Sequence, residues 1–177
     1  MLKARQIAMG GILSALSFVF MFMSLFMPLT YIWIFMSGIA ILIIVIEAGR
    51  KAAICAYIAV TLLCFILIPN IFRTLAFALS FGYYPIIKMW LDNISQTWLR
   101  LALKLALFLA SAVVNLVIYV NLMGIEIDFG QIQQVGTFIA LPIGSFVLAH
   151  IGYDIWLGAF HRYYIERLQP RIFGRRS

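Results

Sequence analysis

Charged residues are scarce in this chain, since only 11% of its 177 residues are Asp, Glu, Lys or Arg. A soluble domain carries about 25% charged and about 45–50% apolar residues, whereas 65% of this chain is hydrophobic. This balance excludes a water-soluble fold. It also excludes a disordered chain, because disordered segments are poor in apolar residues.

Cysteine and histidine are also scarce, with two residues of each. Cys55 and Cys64 differ by about 900° of rotation on a helix, so we expect them to face opposite sides. No Cys/His cluster offers a set of metal ligands, and the sequence has no phosphate-binding loop, zinc-protease helix or nucleophile elbow. We therefore expect a protein that is not an enzyme and that has no metal site and no cofactor.

Long apolar runs occupy most of the chain. Because the hydrocarbon core of a bilayer takes roughly 20 helical residues, they predict an all-α integral membrane protein with six transmembrane helices in a single membrane domain, 1–177. The expected spans are 7–27, 31–46, 52–68, 71–90, 98–121 and 136–160, followed by a basic tail at 161–177. The fourth span is the least regular, because it contains Arg73 near one end and Pro85 inside, where a proline is expected to kink the helix.

The excess of positive charge, +7 in total, lies almost entirely on one side of the predicted membrane. Every Lys and Arg except Arg73 falls on the side of the two termini or at a helix end that faces it, whereas Glu126 and Asp128 fall opposite. Lys and Arg accumulate in cytoplasmic loops. The charge therefore predicts a multi-pass plasma-membrane protein with both termini in the cytoplasm, and it does not indicate a nucleic-acid partner.

The first predicted helix carries four small residues, Ala4, Ala8, Gly11 and Ala15, at offsets of 4, 7 and 11. This spacing places them on one face, and small residues allow close approach of helices in lipid. Two interpretations remain open: docking of another subunit, and packing against the chain's own helices.

Polar and aromatic side chains on the predicted outer side are candidates for a solute site. Asn115 and Tyr119 are four residues apart and share a helix face, and a buried amide needs a hydrogen-bonding partner. Arg73 fits either an inward position that holds an anionic group or a snorkelling one. Trp33 and Tyr31 fit an aromatic belt as well as a cavity wall, and Gln134 completes the candidates.

The beginning of the chain resembles that of a known family. A short basic start leads into Ala4-Arg-Gln-Ile-Ala-Met-Gly-Gly-Ile-Leu-Ser-Ala-Leu, and six spans follow in fewer than 200 residues. This is similar to the substrate-binding S component of an energy-coupling-factor (ECF) transporter, and Phe81-Gly-Tyr-Tyr-Pro-Ile-Ile-Lys resembles small six-span bacterial proteins described as similar to S components.

The resemblance implies a bacterial cell-membrane protein that binds a small solute, vitamin-like or metabolite, in an outward-facing cavity. It implies partners as well, namely a transmembrane coupling subunit and ATPases, with Ala4, Ala8 and Gly11 at the docking face. Arg73, Asn115, Tyr119 and Gln134 would lie at candidate positions in the solute site.

An alternative belongs to a different class. The chain also resembles small scaffold or assembly proteins of the bacterial envelope, which bind protein partners through their helices and have no solute cavity. Stabilisation by a small molecule separates the two, because a ligand that binds only the folded state must raise its stability.

Overall fold

The computed structural model describes residues 4–124 and 132–169, and these residues form helices without a β-strand. The helices are α1 (Ala4–Met23), α2 (Thr30–Ala48), α3 (Arg50–Leu67), α4 (Ile71–Ala76), α5 (Tyr84–Leu91), α6 (Thr97–Met123) and α7 (Ile132–Tyr163). Two π-helical turns, Phe77–Phe81 and Tyr164–Leu168, follow α4 and α7. The prediction of an all-α chain is confirmed for this part of the molecule.

Five of these helices, α1, α2, α3, α6 and α7, are long and apolar enough to cross a membrane. They match five of the six predicted spans. The predicted fourth span, 71–90, is not one continuous helix: it divides into α4, a π-helical turn and α5. Pro85 at the start of α5 is the physical reason for part of this division, because proline lacks the N–H that would continue the hydrogen bonding from the preceding turn.

At residue 161, where the basic tail is predicted to begin, the chain remains helical. Helix α7 continues to Tyr163, and the following π-helical turn reaches Leu168. Glu47 at the end of α2 explains the continuation, because its Oε1 accepts hydrogen bonds from Gln169 Nε2 at 2.8 Å and from the Tyr164 hydroxyl at 3.4 Å.

Helix α2 lies at the centre of the described part of the molecule, in contact with α1, α3, α5 and α7. Its close packing on α1 is marked by a buried pair of hydroxyls, Ser17 and Ser37, with 2.7 Å between their Oγ atoms. The connection to α3 is a single residue, Gly49, at φ 86°. Glycine adopts this left-handed region without the steric penalty of a Cβ atom, so α2 and α3 lie antiparallel with a minimal turn.

The long helices alternate in direction, and α4 and α5 run the same way as two parts of one interrupted segment, so the bundle has two ends. The proximal end carries the start of α1, the turn at Gly49 and the ends of α5 and α7. The distal end carries the loop 24–29, the start of α4 and the end of α6. Between them lies a core of aromatic rings from α2, the first π-helical turn, α5, α6 and α7: Phe35, Phe81, Tyr84, Phe108 and Tyr153.

Candidate functional site

A cavity of about 380 Å³ opens among α2, α4, α6 and α7 in the distal half of the bundle. Its walls are Tyr31, Phe72, Leu75, Ala76, Ala112, Asn115, Leu116, Tyr119, Ile143 and Phe146. None of these described residues carries a formal charge. A largely apolar cavity with a few polar groups is the usual make-up of a small-molecule site.

Two of the residues singled out from the sequence, Asn115 and Tyr119, lie together in this cavity. Asn115 Nδ2 donates to Ser80 Oγ at 2.9 Å and to the Ser111 carbonyl at 2.8 Å, and both of its hydrogens are thereby used. No donor from the described residues reaches its Oδ1, which remains available to a ligand. The Tyr119 ring packs on Phe72, with 5.0 Å between the ring centroids.

The π-helical turn that follows α4 has backbone carbonyl groups that accept hydrogen bonds from side chains of other helices. Pro85 cannot donate to the carbonyl four residues earlier, that of Phe81, and the Tyr153 hydroxyl of α7 donates to this oxygen at 3.0 Å. The Tyr57 hydroxyl of α3 donates to the Ala78 carbonyl at 2.7 Å. Backbone polar groups in lipid must be satisfied within the protein, so these tyrosines stabilise the break.

The contact between Tyr153 and Phe81 depends on a close approach to α2. A Cβ atom added to Gly38 would overlap the Tyr153 hydroxyl and would lie 3.2 Å from the Phe81 carbonyl oxygen. Gly38 is therefore the residue that lets α7 and the π-helical turn meet against α2.

Arg73 lies outside the cavity. Its guanidinium donates to the Ser24 carbonyl just beyond the end of α1, and its backbone N–H is capped by Asn70 Oδ1 at 3.2 Å. It borders a separate hollow with Leu25, Phe26, Pro69 and Asn70. In this position the side chain joins two helix termini, and it does not face Asn115.

Trp33, another of the solute-site candidates, does not line the cavity either. Trp33 is directed toward α1, where its ring lies 6.3 Å from that of Phe20. The side chain of Gln134 lies outside the described residues. Tyr31, which the sequence suggested for an aromatic belt or a wall, does line the cavity.

The small residues of α1 are exposed. Ala4, Ala8, Gly11 and Ala15 all have high accessibility, and no atom lies within 4 Å of a Cβ added to Gly11. The described helices of this chain pack instead on the opposite side of α1, around Ser17 and Met21.

At the proximal end, two lysines and two aspartates form one ionic cluster that joins α5, α6 and α7. Lys88 and Asp92, four residues apart, form an ion pair at 3.3 Å. Lys104 adds contacts of 2.7 Å to Asp92 and 3.0 Å to Asp154, and Lys88 also contacts Asp154 directly. Both lysines are buried, at 4% and 8% exposure, and the Tyr84 hydroxyl donates to Asp154 at 2.7 Å.

Sequence reasoning missed several residues of the cavity region, among them Ser80, Phe72 and Phe146. A signal for Ser80 was present, because a serine two residues before Gly82 and five before Pro85 marks a place where backbone groups need polar partners. Phe72 and Phe146 carry no such signal, since aromatic residues are common throughout this chain.

No protein-family model matches this chain, and comparison with curated proteins and with solved structures finds no match either.

Proposed function

We propose that this chain is a membrane-embedded binding protein for a small, uncharged and largely apolar solute. Its role is that of the substrate-binding S component of an ECF transporter, acting in uptake and not as an enzyme. The cavity that contains Asn115 and Tyr119 is the observation that carries the proposal.

The lining of the cavity supports an uncharged solute. A charged ligand in an apolar site requires a counter-charge or a metal, and the described wall supplies amide and hydroxyl groups only. Arg73 directly follows the cavity residue Phe72 in the sequence, but its guanidinium donates a hydrogen bond to the Ser24 carbonyl. Its position argues against an anionic ligand in this cavity.

The exposed small residues of α1 support a docking role. In lipid, helices associate through close backbone approach at small side chains, and Ala4, Ala8, Gly11 and Ala15 leave this face of α1 uncovered by the described residues. In the proposal a transmembrane coupling subunit occupies the face, and ATPases bound to that subunit supply the energy.

The proposal includes an orientation. Six crossings, counting the interrupted segment 71–91 as one, put both termini in the cytoplasm of a bacterial cell and the cavity on the outer side. The distribution of Lys and Arg supports this arrangement.

Thermal unfolding of the purified chain, with and without each member of a vitamin and metabolite panel, tests solute binding. We expect at least one uncharged compound to raise the unfolding temperature, because a ligand of the folded state stabilises by mass action. A chain that no compound stabilises fits the envelope-scaffold alternative and contradicts the proposal.

The variant Asn115→Leu locates the site. Loss of one amide hydrogen bond to the ligand should weaken its affinity about tenfold. Asn121→Leu is the matched control, because Asn121 lies on the same helix, is exposed, and donates to the Val117 carbonyl outside the cavity. Equal effects of the two variants would contradict the assignment of the cavity.

The docking face is tested separately by Ala8→Trp. A bulky ring on this face should abolish co-purification with a coupling subunit and leave solute binding unchanged, because the face and the cavity use different helices. Leu16→Trp is the control, since Leu16 is exposed on α1 about 100° around the helix from Ala15. Unchanged co-purification of Ala8→Trp would contradict the docking assignment.

A further inference from the structure

His150 of α7 is buried among aromatic rings, with an exposure of 1%. Its ring stacks on Phe81 at 4.4 Å between centroids, and the rings of Phe146 and Phe108 lie at 4.7 Å and 5.0 Å. Its Nδ1 is 2.9 Å from the Phe146 carbonyl oxygen. A carbonyl oxygen only accepts, so Nδ1 carries the proton and Nε2 is left as an acceptor.

Within the described part of the chain this acceptor has no donor. Nε2 of His150 is buried, and no group from the described residues lies within hydrogen-bonding distance of it. A buried polar atom without a partner is unfavourable, and a bound water needs two to four polar partners of its own, whereas the described ring contacts of this imidazole are phenylalanines. A ligand that carries an N–H or O–H donor on an apolar body would satisfy this nitrogen.

The unpaired nitrogen belongs to a residue one helical turn below the cavity. Phe146 and Ala112 line the cavity, and His150 and Phe108 lie one helical turn from them on the same two helices, toward the proximal end. Phe81, which stacks on His150, also contacts the cavity residue Tyr31 at 6.3 Å between centroids. The rings of Phe146 and Phe81 thus contact both the imidazole and the wall of the cavity.

We propose that His150 determines the specificity of the cavity: its Nε2 accepts a hydrogen bond from an N–H or O–H group on a planar, uncharged ligand that displaces the ring of Phe146. The proposal rests on the proposed function. A planar ligand fits because the displaced ring leaves a slot lined by the faces and edges of Phe81 and Phe108, which favour aromatic contacts.

Indole and benzofuran are a matched pair of probes for this contact. They are alike in size and planarity, and they differ in whether the five-membered ring carries an N–H donor or an oxygen. The full chain, labelled with ¹⁵N-histidine, is titrated with each probe in detergent solution. The sequence has only two histidines, so His161→Gln assigns the resonances of His150.

We expect indole to move the Nε2 resonance of His150 from the position of a free acceptor to that of a hydrogen-bonded one, and benzofuran to leave it unchanged. We also expect indole to bind about tenfold more tightly than benzofuran. His150→Phe, which keeps an aromatic ring in the cluster, should reduce this ratio to about one. His150→Gln, which keeps an acceptor, should retain part of it.

The following outcomes would contradict the role proposed for His150. If both probes bind and indole leaves the Nε2 resonance unchanged, or if Nε2 is already hydrogen-bonded in the ligand-free chain, the role of His150 is overturned and the proposed function stands. If neither probe binds up to its solubility limit, the inference is overturned, and the proposed function is decided separately by thermal unfolding with the vitamin and metabolite panel. Should His150→Phe fail to fold, the titration of the wild-type chain is sufficient.

Discussion

Of the described glycines, Gly38 has the least space for a side chain, because an added Cβ atom would overlap the Tyr153 hydroxyl. That hydroxyl cannot withdraw freely, since it satisfies the Phe81 carbonyl that Pro85 leaves without a helical donor. The absence of a side chain at Gly38 therefore allows α2, α7 and the interrupted segment to pack together.

We predict that Gly38→Ala lowers the free energy of unfolding by about 3 kcal/mol, through overpacking and the loss of a buried hydrogen bond. Thermal or SDS-induced unfolding in detergent measures the change. Gly152→Ala on α7 is the control: nothing lies within 4 Å of its added Cβ, so it should be neutral or stabilising by about 1 kcal/mol.

The double variant Gly38→Ala with Tyr153→Phe identifies the cause. Removing the hydroxyl relieves the overlap, so the two substitutions together should destabilise less than the sum of their separate effects. Additive effects would show that the approach of Tyr153 to α2 is not what limits position 38.

Asn115 and Tyr119 were recognisable from sequence because polar groups inside an apolar span stand out and their spacing of four places them on one face. Gly38 and His150 were not recognisable in this way. The role of Gly38 is set by Tyr153, 115 positions later in the chain, and the unpaired atom of His150 becomes evident only when the packing of its neighbours is known.

Among the helices, the interrupted segment 71–91 was foreseeable in outline. Gly82 and Pro85 mark the weak point of the fourth span. The sequence does not reveal which groups donate hydrogen bonds to the carbonyls of the interrupted segment, because the donors, Tyr57 and Tyr153, belong to other helices. Local residues predicted the break, and tertiary contacts determine its geometry.

In the ionic cluster at the proximal end, the Asp154 carboxylate of α7 contacts Lys88 of α5 and Lys104 of α6. We predict that Asp154→Asn lowers the free energy of unfolding by about 3–5 kcal/mol, because Lys88 and Lys104 then remain buried with one aspartate between them. Unfolding in detergent at neutral pH measures the loss.

Asp92→Asn is the matched control for this prediction. Asp92 contacts the same two lysines, but its side chain is 40% exposed, so its removal should lower stability by about 1 kcal/mol or less. Equal losses in the two variants would contradict the view that Asp154 is the central member of the cluster.

For the whole molecule, the number of membrane crossings depends on the interrupted segment. Its longest helix, α5, has only 8 residues, too few to span a bilayer alone. If 71–91 crosses as a unit, Leu29 and Ser95 lie on opposite sides of the membrane. If it does not cross, they lie on the same side.

We predict opposite sides. Leu29→Cys and Ser95→Cys, each introduced into a chain whose Cys55 and Cys64 are replaced by Ser and Ala, should react differently with an impermeant maleimide in right-side-out vesicles. Leu29→Cys should be labelled directly, and Ser95→Cys only after permeabilisation. Labelling of both before permeabilisation would mean five crossings and would contradict the six-span topology.

The hydrogen bond between Tyr153 and Phe81 also bears on when, during synthesis of the chain, the segment 71–91 can complete its packing. When the segment 71–91 leaves the ribosome, the helix that carries its donor has not yet been translated, so a carbonyl at position 81 would enter lipid without a partner. Because an unsatisfied carbonyl is unfavourable in lipid, we expect the segment to reach its final packing only after residue 153 has emerged.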